Sequence, residues 1–147
     1  MKMNRKGITL IELVIVMAII AIGAVLVMPN IGAWIPTYRL KGATRDIIST
    51  MRVAQIKAVS NNTTYQVSFD PVGNNYILQY QGSGGLVNDG ATQPLPPGVQ
   101  FVTTLGANAA IFYPDSTATG GTITITNTKG SQKTITLWGT TGRIKHG

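Results

Sequence analysis

Residues 8–28 constrain this chain more than any other stretch. They read ITLIELVIVMAIIAIGAVLVM, twenty-one residues with one charge, Glu12. At about 1.5 Å per residue that is roughly 31 Å of helix, close to the bilayer's hydrocarbon thickness of about 30 Å. A short basic head with Lys2, Arg5 and Lys6 precedes the run and ends in Gly7. Beyond residue 30 the chain is far more polar. It reads as one apolar rod carrying a polar head.

Two ordinary readings compete for the rod. A secretory signal peptide needs an apolar region of about 7–15 residues and a small-residue cleavage site. The run is longer than that, and no A-x-A pattern precedes a mature start. A plain membrane anchor fits better: three positive charges before the helix put the N-terminus in the cytoplasm and the head outside. The anchor leaves Glu12 unexplained. An ionised carboxylate near the bilayer centre costs about 2.5 kcal/mol or more, so it calls for a partner.

The segment KGITLIELVIVMAIIAI resembles the class III leader and N-terminal helix of type IV pilins and type II secretion pseudopilins. The resemblance implies that a prepilin peptidase cuts after Gly7 and that the new N-terminus, Ile8, is N-methylated. The family favours Phe where Ile8 stands. Glu12 becomes the fifth residue of the mature chain, where the family keeps a glutamate. Pro29 matches a proline that interrupts family helices. The physics agrees: a freed amine on Ile8 is a cation in apolar surroundings, and Glu12 of a neighbouring subunit can neutralise it. Each charge is costly alone, and the pair offsets that cost only in the right register. The plainer alternative has Glu12 protonated or reaching the headgroup layer.

The formal charge is +7, from twelve basic and five acidic residues. Loss of Lys2, Arg5 and Lys6 with a leader would leave nine basic against five acidic side chains. There is no cysteine, hence no disulfide staple and no thiolate chemistry. A head of this size must be stable from its core alone.

Pro29 removes a backbone donor and crowds the preceding turn, so a kink or loosened segment is expected there, extended by Gly32 and Pro36. Trp34 and Tyr38 stand where an interfacial aromatic belt would lie. From Tyr38 a helix is expected to resume. Leu40, Ala43, Ile47, Met51, Ala54 and Ala58 step by 3, 4, 4, 3 and 4, one helical face. Arg39, Lys41, Arg45, Arg52 and Lys57 fall mainly elsewhere. Asn61 and Asn62 supply the break.

The rest reads as β. Residues 64–70 alternate, with Tyr65, Val67 and Phe69 on one face. A turn at Pro71, Gly73, Asn74 and Asn75 leads to a returning strand with Tyr76, Leu78 and Tyr80. Residues 82–97 read as a long polar loop. Residues 99–103 and 110–113 are short strand candidates. Residues 122–127 and 134–138 make the clearest hairpin, with Ile123 and Ile125 facing Ile135 and Leu137 and a turn at Thr128, Lys129 and Gly130. A last strand is expected over 143–145.

The resemblance implies an α+β fold, one long N-terminal helix packed by its C-terminal half on an antiparallel β-sheet domain. LKGATRDIISTMRVAQIKAVSNN followed by YQVSF is similar to the FimT/GspH minor subunits. The organisation expected is a leader at 1–7, a transmembrane or filament-core half of the helix at 8–36, and a periplasmic head at 37–147.

Catalytic chemistry is missing from the sequence. His146 is the sole histidine and the penultimate residue, so no histidine triad or zinc cluster is available. Asp46, Asp70, Asp89 and Asp115 are scattered and match no EF-hand spacing; a loop calcium site at Asp89 or Asp115 is a minor alternative. The glycines of 82–85 lead into no helix or GK[ST], so they form no phosphate loop. No metal, cofactor or enzyme activity is expected.

The tail, Gly142-Arg143-Ile144-Lys145-His146, resembles the GRxR tail of DNA-binding FimT-type pilins, with Lys145 in the second basic position. Lysine keeps the charge but loses the bidentate fork. On a strand Arg143 and Lys145 face the same side. Together with Lys129 and Lys133 they are the candidate phosphate-binding patch, with Trp138 as a stacking aromatic. The alternative is a solvated basic tail. The leading expectation is a structural minor pilin or pseudopilin. Its partners are other pilin subunits, prepilin peptidase, an inner-membrane assembly platform and membrane lipid before assembly. The competing reading is a DNA-uptake pilin that binds DNA through the tail.

Overall fold

The computed structural model describes residues 8–27 and 31–147. The leader with Gly7, and Pro29 with the break expected at it, lie outside the described residues. The chain divides into two compact units, Met1–Ile35 and Pro36–Gly147.

The first unit carries α1, Leu10–Val27. Thr9 starts it. Its carbonyl accepts the N–H of Leu13 at 3.2 Å and of Glu12 at 3.1 Å, and its hydroxyl accepts the Glu12 N–H at 3.3 Å. This is the N-cap arrangement, in which a side-chain oxygen satisfies a first-turn donor that has no intrahelical partner. The helix has eighteen residues, three fewer than the apolar run, and spans about 27 Å. Among the described residues no helix is long and apolar enough to cross a membrane.

α2 runs over Ile31–Ser60 with Pro36 inside it. The expected weak region therefore does not extend through Pro36 to Tyr38: the helix is already formed at Ile31. Proline's fixed φ is helical, and the local loss is one donor. Leu40, Ala43, Ile47, Met51, Ala54 and Ala58 are all buried, as their spacing predicts, and Ile48 joins them. Thr44 is buried on the same side and donates its hydroxyl to the Leu40 carbonyl at 2.7 Å. The C-terminus closes where the two asparagines predict. Asn62 takes φ 48°, the Thr63 N–H reaches the Ala58 carbonyl at 3.2 Å and the Asn62 N–H reaches that of Val59 at 3.4 Å. That pair of bonds is the Schellman closure, with Asn62 in the left-handed position.

Nine strands follow: β1 Tyr65–Asp70, β2 Asn75–Gly82, β3 Gly85–Asn88, β4 Gln93–Pro94, β5 Val99–Thr103, β6 Ala109–Phe112, β7 Gly121–Asn127, β8 Gln132–Leu137 and β9 Ile144–His146. They form two antiparallel sheets. Sheet A has the order β3-β2-β1-β6, with β4 also on β2; sheet B has the order β5-β7-β8-β9. A 3-10 turn, Gly106–Asn108, leads into β6.

The long loop expected over 82–97 is instead β3 and β4 with short connections. Gly82 pairs with Gly85, closing a two-residue hairpin at Ser83 and Gly84. Leu86, Val87 and Asn88 are all exposed, so β3 has no apolar/polar alternation to betray it. The last strand begins one residue later than expected, at Ile144.

The α2 stripe and the inner faces of both sheets make one apolar core. Phe69 of β1 meets Phe101 of β5 edge to face, ring centroids 5.4 Å apart, which ties sheet A to sheet B. Lys57 of α2 meets Asp89, between β3 and β4, at 2.7 Å. The fold is α+β, as the sequence implies.

Candidate functional site

Three places matter: the start of α1, the tail strand, and the face of α2 beside it. Every described side chain from Ile8 to Val25 is exposed, Glu12 included. Ile8 is 78% and Leu10 80% accessible, and Ile19 and Ile22 on other turns are 64%. A helix apolar all round needs cover that its own unit does not supply. Glu12 is the third residue of α1 and carries the only charge on it. Thr9 and Glu12 make T-x-x-E ahead of an apolar run, a helix-start pattern that the apolar run itself overshadows in the sequence.

The β7–β9 ladder decides the basic residues of the tail. Lys145 lies opposite Thr136, and Ile144 opposite Leu137. The Trp138 N–H donates to the Arg143 carbonyl at 3.0 Å, so Arg143 still runs along β8 although it precedes β9. Arg143, Lys145 and Trp138 are all exposed and share the outer face of sheet B, away from buried Leu137 and Ile135. Gly142 takes φ 58° just before them, and a Cβ there would come within 2.6 Å of the Ser116 carbonyl. The glycine of the tail is thus demanded by the backbone.

Lys133 does not join this patch. It pairs with Ile125, which is fully buried, so it emerges on the inner face of the sheet. The period-two alternation of a strand separates it from Arg143 and Lys145. Lys129 lies in the β7–β8 turn, beyond Gln132. Thr136 to Gln132 alone is about 13 Å of strand, so Lys129 stands apart from Lys145 as well. Of the four basic candidates, the fold brings two together, with Trp138 beside them.

The Lys133 side of the sheet holds an unforeseen grouping. Lys41, Thr44, Arg45 and Ile48 of α2 line a cavity of about 360 Å³ with Lys133 and His146. On the other flank of α2, Asp46 and Asp89 line a second cavity with Tyr76. Asp89 is engaged by Lys57, whose ammonium is held above its usual pKa chiefly by that hydrogen bond. Asp115 accepts the Thr117 hydroxyl at 2.6 Å and N–H at 3.0 Å, which hold it below the usual carboxylate range. Among the described residues no group of three His, Cys, Asp or Glu gathers to hold a metal.

Residues 2–28 match the Prokaryotic N-terminal methylation motif. Residues 43–141, about two thirds of the chain, match Type II transport protein GspH. The chain belongs to the GspH family. No curated protein matches it. Among solved structures, the minor pseudopilin EpsH of the Vibrio cholerae type 2 secretion system superposes with TM-score 0.65 at 14% identity, over 74% of this chain and 95% of that one. The Pseudomonas aeruginosa type IV minor pilin FimU gives 0.61 at 16% identity, over 74% and 88%. E. coli GspH gives 0.63 at 11%, over 82% and 94%. At such identities these likenesses speak for the fold. This GspH-family chain is a pilin-like structural subunit and not an enzyme, and subunits of the family assemble with other pilins.

Proposed function

We propose that the chain is a minor pilin or pseudopilin of a type II secretion pseudopilus or type IV pilus, assembled through α1. The observation that carries this reading is an eighteen-residue apolar helix whose described side chains, from Leu10 to Val25, are all exposed, with one carboxylate in its first turn. In this reading prepilin peptidase cuts after Gly7 and Ile8 is N-methylated. The rod waits in the inner membrane, its start toward the cytoplasm and residues 37–147 in the periplasm, until an assembly platform draws it into a polymer. Glu12 pairs there with the freed amine of an adjoining subunit, and Pro29 loosens the rod as subunits stack. Burying two opposite charges is favourable only as a pair, which makes Glu12 a register key. The test is co-expression with the other pilins of its host. Glu12→Ala and a Gly7 replacement should abolish incorporation while far-UV circular dichroism shows the second unit folded. Normal incorporation of the Glu12→Ala protein overturns the reading.

A second reading, DNA capture in DNA uptake, is favoured by the shared outward face of Arg143, Lys145 and Trp138. Two phosphate contacts beside one stacking ring bind weakly, with log K falling by about 1.8 per tenfold rise in salt. Gel shifts of the detergent-solubilised chain at two salt concentrations test it. Arg143→Ala with Lys145→Ala should remove the shift, and an unchanged shift removes the tail from consideration.

A further inference from the structure

Positions 41, 44, 45 and 48 recur at the three- and four-residue spacing of one helical face. That face of α2 turns toward the end of sheet B and, with Lys133 and His146, encloses about 360 Å³. The sheet residues are placed there by register: Lys133 pairs with buried Ile125, and His146 with buried Ile135. Lys41, Arg45 and His146 are exposed, Lys133 half-buried, and buried Ile48 contributes an apolar wall. No acidic residue lines the cavity. The Lys57–Asp89 ion pair lies on the other flank of α2. Thr44 spends its hydroxyl proton on the Leu40 carbonyl. Three permanent cations therefore face one concave space with no acidic side chain among its described lining residues. Their mutual repulsion is relieved by an incoming anion.

We propose that this cavity receives an acidic side chain of a neighbouring subunit in the filament. The proposal rests on the filament reading above. The space admits a glutamate or aspartate side chain, with the Arg45 fork offering two parallel N–H donors and the lysines point charges. Ile48 packs against the methylenes of such a side chain. A nucleic-acid duplex is too wide to enter, and the cationic face open to it, with Arg143 and Lys145, lies on the other side of the sheet. Charge complementarity agrees: the mature chain would be basic, nine basic residues against five acids, so an acidic neighbour suits it.

The lone histidine supplies the probe, because any histidine ring signal belongs to that one residue. The full chain in neutral detergent micelles is titrated with an acetylated, amidated tri-glutamate peptide and followed by NMR. The peptide should shift the His146 ring signals saturably at low salt, and tri-glutamine should not. Arg45→Gln with Lys133→Gln should weaken binding by about tenfold or more with unchanged circular dichroism. Arg143→Gln with Lys145→Gln should leave it within about twofold, since those residues lie on the opposite face. No shift with the wild-type chain, or an equal loss from the tail variants, overturns the proposal. So does a single-stranded oligonucleotide that displaces the peptide at lower concentration, which would assign the cavity to nucleic acid. In filaments, Arg45→Glu with Lys133→Glu should reduce incorporation when Glu12 is intact. Normal incorporation of that variant overturns the cavity's role and leaves the filament reading standing. A wild-type chain that never enters filaments overturns the filament reading, while the NMR titration still decides the cavity's chemistry.

Discussion

α1 and α2 are built from similar aliphatic residues and treat them oppositely. α2 sets one stripe of apolar side chains on a single face, and that stripe is buried: Ile47, Met51, Ala54 and Ala58 are fully covered, while Val53, Ile56 and Val59 on its other faces stay exposed. α1 spreads leucine, isoleucine and valine around its whole circumference, and all the described ones are exposed. Burial of a Leu- or Ile-sized side chain contributes about 1.5–3 kcal/mol. In α2 that contribution stabilises the chain's own fold. In α1 it is held in reserve for lipid or for other helices. Greasiness alone does not show whether a helix belongs to a core; the angular spread of its apolar positions does.

The sharpest test of this contrast is a pair of truncations. Met51→Ala empties a fully buried site and should destabilise the second unit by about 2–5 kcal/mol. Ile19→Ala, at a site 64% exposed, should leave the same unit's stability within about 0.5 kcal/mol. Urea unfolding followed by circular dichroism in detergent reads both. Equal losses would erase the distinction between the two helices.

A smaller effect is expected at Gly142. Alanine there must hold φ 58° and press its Cβ on the Ser116 carbonyl, a cost of about 1–3 kcal/mol. Thermal unfolding checks it, and an unchanged midpoint would mean that the tail does not depend on this bend.

The smallest concerns Lys57 and Asp89, an ion pair between partly exposed side chains. Asp89→Asn should cost about 0.2–1 kcal/mol, less at high salt. The ammonium's pKa is raised in the folded chain. The pair's contribution is therefore complete below the unfolded lysine value of about 10.4 and fades as pH climbs through the higher folded value. Chemical denaturation from pH 8 to above that range, compared with the Asp89→Asn chain, should show the gap closing upward; a constant gap would deny the linkage.

Much of this was legible because it is local and periodic. The α2 stripe has a helical repeat and one buried face. The β7–β8 hairpin alternates cleanly, and Asn61 and Asn62 mark a stop that Asn62 fulfils with its positive φ. β3 escaped because both its faces meet solvent, which erases alternation. The N-cap of α1 was readable in Thr9 and Glu12 but was overshadowed by the apolar run. The grouping of Lys133 with Arg143 and Lys145 came from nearness along the chain, whereas a strand sends odd and even steps of its ladder to opposite faces. The meeting of Lys41 and Arg45 with Lys133 and His146 is tertiary, set by how α2 lies on sheet B, and no spacing within either segment announces it.

The position of Thr9 bears on how the chain is handled before it is used. A cut after Gly7 falls two peptide bonds upstream of the cap, so scission strips nothing from the hydrogen bonds that begin the helix. The freed ammonium is then left at the positive end of the helix dipole, an unfavourable neighbour. One turn in, Glu12 offsets the dipole of its own helix, and in the proposed reading the ammonium is left for the Glu12 of an adjoining subunit. If the end is processed as proposed, its cost would be electrostatic rather than conformational, and it would be relieved only where the Glu12 of an adjoining subunit comes into register.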